Sequence, residues 1–93
     1  MRLRPAVRQF AENMEGVLEQ HASNIHWRHS NEAWLVQRLI EEVAELTGLV
    51  LGGESQTINY EDMVLSECCD VANFAMMIAD NFGGMRKERP NHP

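Results

Sequence analysis

The chain has 93 residues and a formal net charge of −6, with 8 Lys and Arg against 14 Asp and Glu. One domain is expected, since single cores rarely divide below about 100–150 residues, and the acidic balance argues against general binding to a nucleic-acid backbone. No apolar run approaches the roughly 18–20 residues of a membrane span, and Met1 to Arg8 lacks the apolar stretch of a secretory signal, so a cytoplasmic protein is expected.

Proline occurs only at positions 5, 90 and 93, which leaves an interior compatible with long helices. Pro5 suits the first turn of a helix reaching about Gln20, with Val7, Phe10, Met14, Val17 and Leu18 on one face. His21 to Ser30 is rich in polar turn-formers and reads as an ordered loop. Ser30 or Asn31 caps a second helix, closed after Leu51 by Gly52-Gly53. Gly52 to Ile58 is a connector. A third helix starts near Asn59, carries Glu61 and Asp62 where the helix dipole favours acids, and stops before Gly83-Gly84. The expected fold is therefore an all-α bundle of three main helices over residues 1–84, followed by a polar, basic tail, 85–93, expected to be mobile. The adjacent Cys68 and Cys69 point about 100° apart on a helix, which suits neither a disulfide nor a CxxC motif. They read as two small thiols in a reducing compartment.

Helical-wheel positions, at about 100° per residue, single out the acids. In helix two Leu35, Leu39, Val43, Leu46 and Val50 form an apolar arc widened by Val36 and Ile40, yet Glu42 projects inside it and Glu45 lies at its margin. In helix three the expected buried face is Met63, Val64, Val71, Phe74, Ala75, Ile78 and Phe82. Glu67 sits near its middle, with Asp70 about 60° away. An ionised carboxylate on such a face costs several kcal/mol unless it is paired or metal-bound. Packed antiparallel, the two helices bring Glu42, Glu45, Glu67 and Asp70 together, and an all-oxygen set selects a hard ion, Mg²⁺ with Mn²⁺ as a substitute. The competing structural reading has these acids on solvated helix edges, with Arg38 pairing Glu42 at i, i+4. Glu41 points further from the arc. A di-iron bundle requires Glu-x-x-His pairs, which neither helix offers.

The run Arg38-Leu39-Ile40-Glu41-Glu42-Val43-Ala44-Glu45-Leu46, then Glu67-Cys68-Cys69-Asp70, with the 21 residues Leu46 to Ser66 between Glu45 and Glu67, resembles the EExxE…ExxD motif of the MazG-like all-α NTP pyrophosphohydrolase superfamily. The similarity extends over roughly residues 10–82, and is nearest to small phage- or mobile-element-type members. The resemblance implies Mg²⁺ ligation by Glu42, Glu45, Glu67 and Asp70, with Glu41 as the leading acid that orients or deprotonates water. It implies cleavage between the α- and β-phosphates of a nucleoside triphosphate, giving the monophosphate and pyrophosphate, within a homodimer or tetramer whose pocket draws on two chains. A phosphoribosyl-ATP pyrophosphohydrolase-like enzyme and a non-catalytic nucleotide- or protein-binding relative are the alternatives. Small members often carry Lys and Gly just before the Trp, where this chain has Ser23-Asn24-Ile25-His26-Trp27. The phosphate-binding role then shifts to Arg28, Arg86 or Lys87. Trp27 either stacks on a base or packs on the bundle, and Asn73, one turn past Asp70, is a candidate for hydrogen-bonding sugar or base. His21, His26 and His29 lack a second ligand pair at zinc spacing.

Overall fold

The computed structural model describes residues 1–20, 27–53 and 57–86, for residue 86 the backbone alone. Among the described residues there are three α-helices and no strand: α1 (Pro5–Gln20), α2 (Glu32–Leu51) and α3 (Tyr60–Asn81). Two short 3-10 turns, Trp27–His29 and Gly84–Arg86, precede α2 and follow α3. The former is the described part of the loop expected over 21–30, whose residues 21–26 lie outside the described residues. The latter extends ordered backbone two residues into the segment read as tail.

Local chemistry sets these boundaries. Asn31, with extended backbone, caps α2 by accepting the N–H groups of Ala33 at 2.7 Å and Trp34 at 3.3 Å. Beyond the last turn of α2, Gly53 adopts a φ of 76°, a left-handed conformation that glycine takes without steric cost. Gly83 does the same after α3 with a φ of 78°, and its N–H reaches the Asp80 carbonyl at 2.9 Å. At the start of α3 Asn59 is itself left-handed and makes no side-chain cap.

The helices α2 and α3 form an antiparallel hairpin. The Tyr60 hydroxyl at the start of α3 donates to the Leu49 carbonyl near the end of α2, whereas Trp34 near the start of α2 meets Phe74 in the second half of α3. On its other side α3 receives α1, tied by the Asn73 side-chain amide, which donates to the Met14 carbonyl at 3.2 Å. Both α1 and α2 pack on α3 rather than on each other.

The buried face of α3 differs from the one expected. It runs through Cys69, Asn73, Met77 and Asp80, while Met63, Ala75 and Phe82 are exposed and Val64, Val71, Phe74 and Ile78 are half-buried. The sequence is apolar around most of α3, so hydrophobicity alone does not choose a side; the landing of α1 on Asn73 does. On α2, Leu35 and Glu42 are buried as expected, but Val36, Ile40, Val43 and Val50 are exposed on a ridge centred roughly 100° from Leu35. Among the described residues only Leu35, Cys69 and Met77 are fully buried apolar side chains. The accessible surface is 7326 Å², against about 5,500 Å² for a compact 10.6 kDa monomer.

At the C-terminal end of α3, Asp80 is 3% exposed. Its Oδ2 accepts the Trp27 indole N–H at 2.9 Å and the Arg28 Nε–H at 3.0 Å. Beside it the Asn81 amide donates to the carbonyls of Trp27, at 2.7 Å, and Ser30, at 3.4 Å. These contacts span more than 50 positions in sequence and fix the turn that leads into α2. Asp80→Ala is expected to lower unfolding free energy by about 1–3 kcal/mol, because it strands the half-buried Trp27 indole N–H. Arg28→Ala is expected to cost under about 1 kcal/mol, because the Arg28 side chain is 62% exposed. Chemical denaturation of the two variants measures the difference, and equal losses would contradict this ranking.

Candidate functional site

The antiparallel register of the hairpin sets Glu42 of α2 opposite Glu67 and Asp70 of α3. One carboxylate oxygen from each of the three lies within 4.8 Å of the others. Glu42 is 5% exposed; Glu67 and Asp70 are half-buried. Glu45, expected as an equal fourth member, is exposed and stands outside this set. It remains close enough to hydrogen-bond Glu67 and to act on it electrostatically.

Burial pushes the Glu42 carboxyl up to about 7, reinforced by a hydrogen bond with Asp70 and by the charges of Glu45, Asp70 and Glu67. Arg38 donates to Glu42 at 3.2 Å, yet one guanidinium does not offset burial and three neighbouring acids. Glu67 is raised to about 6, first by burial, then by the charges of Glu45 and Asp70; its hydrogen bond with Glu42 works in the opposite direction. Glu41 behaves differently. It is exposed, and hydrogen bonds from Arg38 and Gln37 hold its carboxyl below the ordinary value. The ion pairing read from sequence as the competitor to metal binding thus exists for Glu41 and Glu42, and does not extend to Glu67 or Asp70 among the described residues.

The Oε2 atom of Glu67 is buried and has no hydrogen-bond partner among the described residues. An acidic, all-oxygen set with an orphaned buried oxygen is an arrangement that a hard divalent cation satisfies. Glu42, Glu67 and Asp70 are the residues able to hold one, with Glu45 at the edge.

The residues expected to contact substrate are placed less favourably. Trp27 and Arg28 are engaged by Asp80, ten residues and about 15 Å along α3 from Asp70. The Asn73 amide is spent on the Met14 carbonyl, and its buried Oδ1 has no partner among the described residues. The side chain of Arg86, and the whole of Lys87, His21 and His26, lie outside the described residues; His29 is exposed. Next to the cluster, Trp34 and the place of Arg38 over an aromatic ring were missed. Arg38 lies 5.2 Å over the Phe74 ring, and Trp34 meets the same ring edge-on, with centroids 6.4 Å apart and planes at 74°. The signal was present in the spacing, because Trp34, Arg38 and Glu42 follow one another at i, i+4 and i+8 on one side of α2.

The raised carboxyls fix the sign of a pH effect. A group protonated more readily in the folded state stabilises fully below its unfolded pKa, and that contribution is lost as pH rises through the folded value. In metal-free buffer the melting temperature is therefore expected to fall from about pH 4.5, where the unfolded chain gives up these protons, to about pH 7, where folded Glu67 and Glu42 have ionised as well. Glu42→Gln is expected to flatten this slope. A wild-type melting temperature that rises over the same window would contradict the assignment.

No family model, curated protein or solved structure matches this chain. The carboxylate geometry and its sequence motif carry the functional reading.

Proposed function

We propose that the chain is a Mg²⁺-dependent nucleoside triphosphate pyrophosphohydrolase of the MazG-like kind, hydrolysing a (d)NTP to the monophosphate and pyrophosphate in the cytoplasm. The observation that supports this most is the meeting of Glu42, Glu67 and Asp70 across an antiparallel hairpin, with Glu67 Oε2 buried and unpartnered among the described residues. A structural role alone does not account for it, because clustered carboxylates destabilise a fold that has few buried apolar side chains.

Bound among these oxygens, Mg²⁺ supplies charge neutralisation for the phosphates and lowers the pKa of a coordinated water. Glu42 and Asp70 hold the charge from opposite helices. Glu67, with one oxygen that has no hydrogen-bond partner among the described residues, is the group best placed to take a proton from the attacking water. Glu41 is ill suited to that task, since Arg38 keeps its carboxyl low; its part is to fix Arg38. Water adds to a phosphorus of the α–β anhydride, that bond breaks, and its proton passes to carboxylate before release.

Self-association belongs to the same proposal. The stripe Val64, Val71, Ile78 and Phe82 lies roughly opposite Asn73 on α3, away from α1, and Phe82 is 72% exposed. Val64, Val71 and Ile78 are half-buried, so Phe82 and the Val36, Ile40, Val43 and Val50 ridge offer the uncharged surface on which two acidic chains meet without juxtaposing like charges.

A pyrophosphate-release assay across NTPs and dNTPs with Mg²⁺ tests the activity; release from none of them would overturn it. Millimolar Mg²⁺ is expected to raise the melting temperature by several degrees near pH 8, and less near pH 5.5, where protons already relieve the repulsion. Glu67→Gln is expected to cut turnover by about 100-fold or more while leaving the metal-free melting temperature unchanged or higher. Reduced stability with unchanged turnover per folded molecule would remove Glu67 from the mechanism. Sedimentation at micromolar concentration is expected to show a dimer or tetramer, and a clean 10.6 kDa monomer would exclude the shared apolar surface.

A further inference from the structure

Trp34 is 51% exposed, yet it is not a loose surface side chain, because Phe74 of the facing helix holds its ring edge-on. Arg38 lies over that same Phe74 ring and is pinned by Glu41 and Glu42. Trp27 contrasts with it: half-buried, with its indole N–H committed to Asp80. Of the two tryptophans, Trp34 has the larger free surface and the direct physical connection to the carboxylates, through Phe74, Arg38 and Glu42.

The order along α2 carries chemical information. From Glu42, Arg38 lies one turn back, about 6 Å, and Trp34 two turns back, about 12 Å. Carboxylates, a forked cation and an aromatic ring thus follow one another in a line on one side of the helix. A nucleoside triphosphate has the complementary order: phosphates that need cations, the phosphate nearest the sugar, and a flat base. Guanidinium carries five N–H donors in a planar fork, of which the described residues engage those toward Glu41 and Glu42.

We infer that Trp34, Phe74 and Arg38 form the nucleoside end of the site, where the Trp34 ring stacks on the base and Arg38 holds the phosphate nearest the sugar. This rests on the proposed hydrolysis of a nucleoside triphosphate and names the groups that would recognise its non-reacting end. Phe74 acts as a positioning residue, setting the angle of Trp34 and the height of Arg38. Trp27 and Arg28 are then structural. Stacking on an aromatic ring is tolerant of base identity, so this subsite gives affinity for a nucleotide over bare phosphates more than choice among bases.

Calorimetric titration with Mg²⁺ tests this, using α,β-methylene nucleoside triphosphates of each common base, which resist cleavage, and inorganic tripolyphosphate, which lacks a base. Wild type is expected to bind one or more of the methylene nucleotides more tightly than tripolyphosphate. Trp34→Ala is expected to weaken nucleotide binding roughly tenfold or more and to leave tripolyphosphate unchanged. Trp34→Leu keeps apolar bulk against Phe74 and guards against misfolding, with the same loss expected; Trp34→Phe keeps a π-face and is expected to retain most of the preference. Far-UV circular dichroism confirms that each variant is folded. Folded Trp34→Leu with the wild-type preference would overturn the subsite, and so would a wild type that binds nucleotides no better than tripolyphosphate; both leave the phosphate reading standing. A wild type that binds neither probe would overturn the subsite and the proposed function together.

Discussion

A carboxylate taken out of water and set beside two others raises the free energy of a folded chain by several kcal/mol unless protons or cations intervene. The α2–α3 hairpin imposes this condition on Glu42, Glu67 and Asp70 at its centre. Other features limit its consequences. Arg38 bridges Glu41 and Glu42 and lies over Phe74, so that among the described residues Glu42 has one cationic partner. Tyr60 ties one end of the hairpin through the Leu49 carbonyl, and Asp80 ties the other through the turn that precedes α2. The acids are thus held between two fastened ends, and the hairpin has little freedom to splay them apart.

Much of this was legible in the sequence. Pro5, Asn31, Gly53 and Gly83 mark helix boundaries through local backbone chemistry, and local rules read such marks well. The burial of Glu42 followed from its place inside the apolar arc of α2, and its meeting with the α3 acids followed from an antiparallel hairpin. The face that α3 buries was not legible. A helix apolar around most of its circumference gives no unique wheel solution, and the choice was made by an amide at Asn73 reaching a carbonyl 59 positions earlier. Nor was the engagement of Trp27 by Asp80, at a separation of 53 residues, since no local pattern links an indole in a turn to an acid near a helix end. Glu45 lies about 60° from Glu42, at the margin of the apolar arc, and that margin is exposed in the structure.

The fold divides its acids by what answers them. Asp80 is buried and accepts from Trp27 and Arg28, so its charge strengthens the structure. Glu41 is exposed and held by Arg38 and Gln37, and contributes little either way. Glu42, Glu67 and Asp70 are answered mainly by one another, which weakens the structure. Three carboxylates on the same pair of helices therefore differ from their neighbours in sign, not merely in degree. That difference depends on tertiary placement, since the residue types are the same throughout.

This division bears on how a ligand and the fold interact. Charges left unanswered in the folded chain raise its energy while leaving the unfolded chain, where they are far apart in water, little affected. A cation that enters among them gains its own coordination and also removes their repulsion, so part of its apparent affinity is a stability the chain lacked beforehand. With Leu35, Cys69 and Met77 as the only fully buried apolar side chains among the described residues, that stability has few other sources in the described helices. The remaining exposed apolar surface, on the ridge of α2 and at Phe82 beyond the end of α3, lies outside the acid cluster. Cation binding and surface burial can therefore stabilise the same hairpin from independent positions, and their effects on unfolding are expected to add rather than substitute for one another.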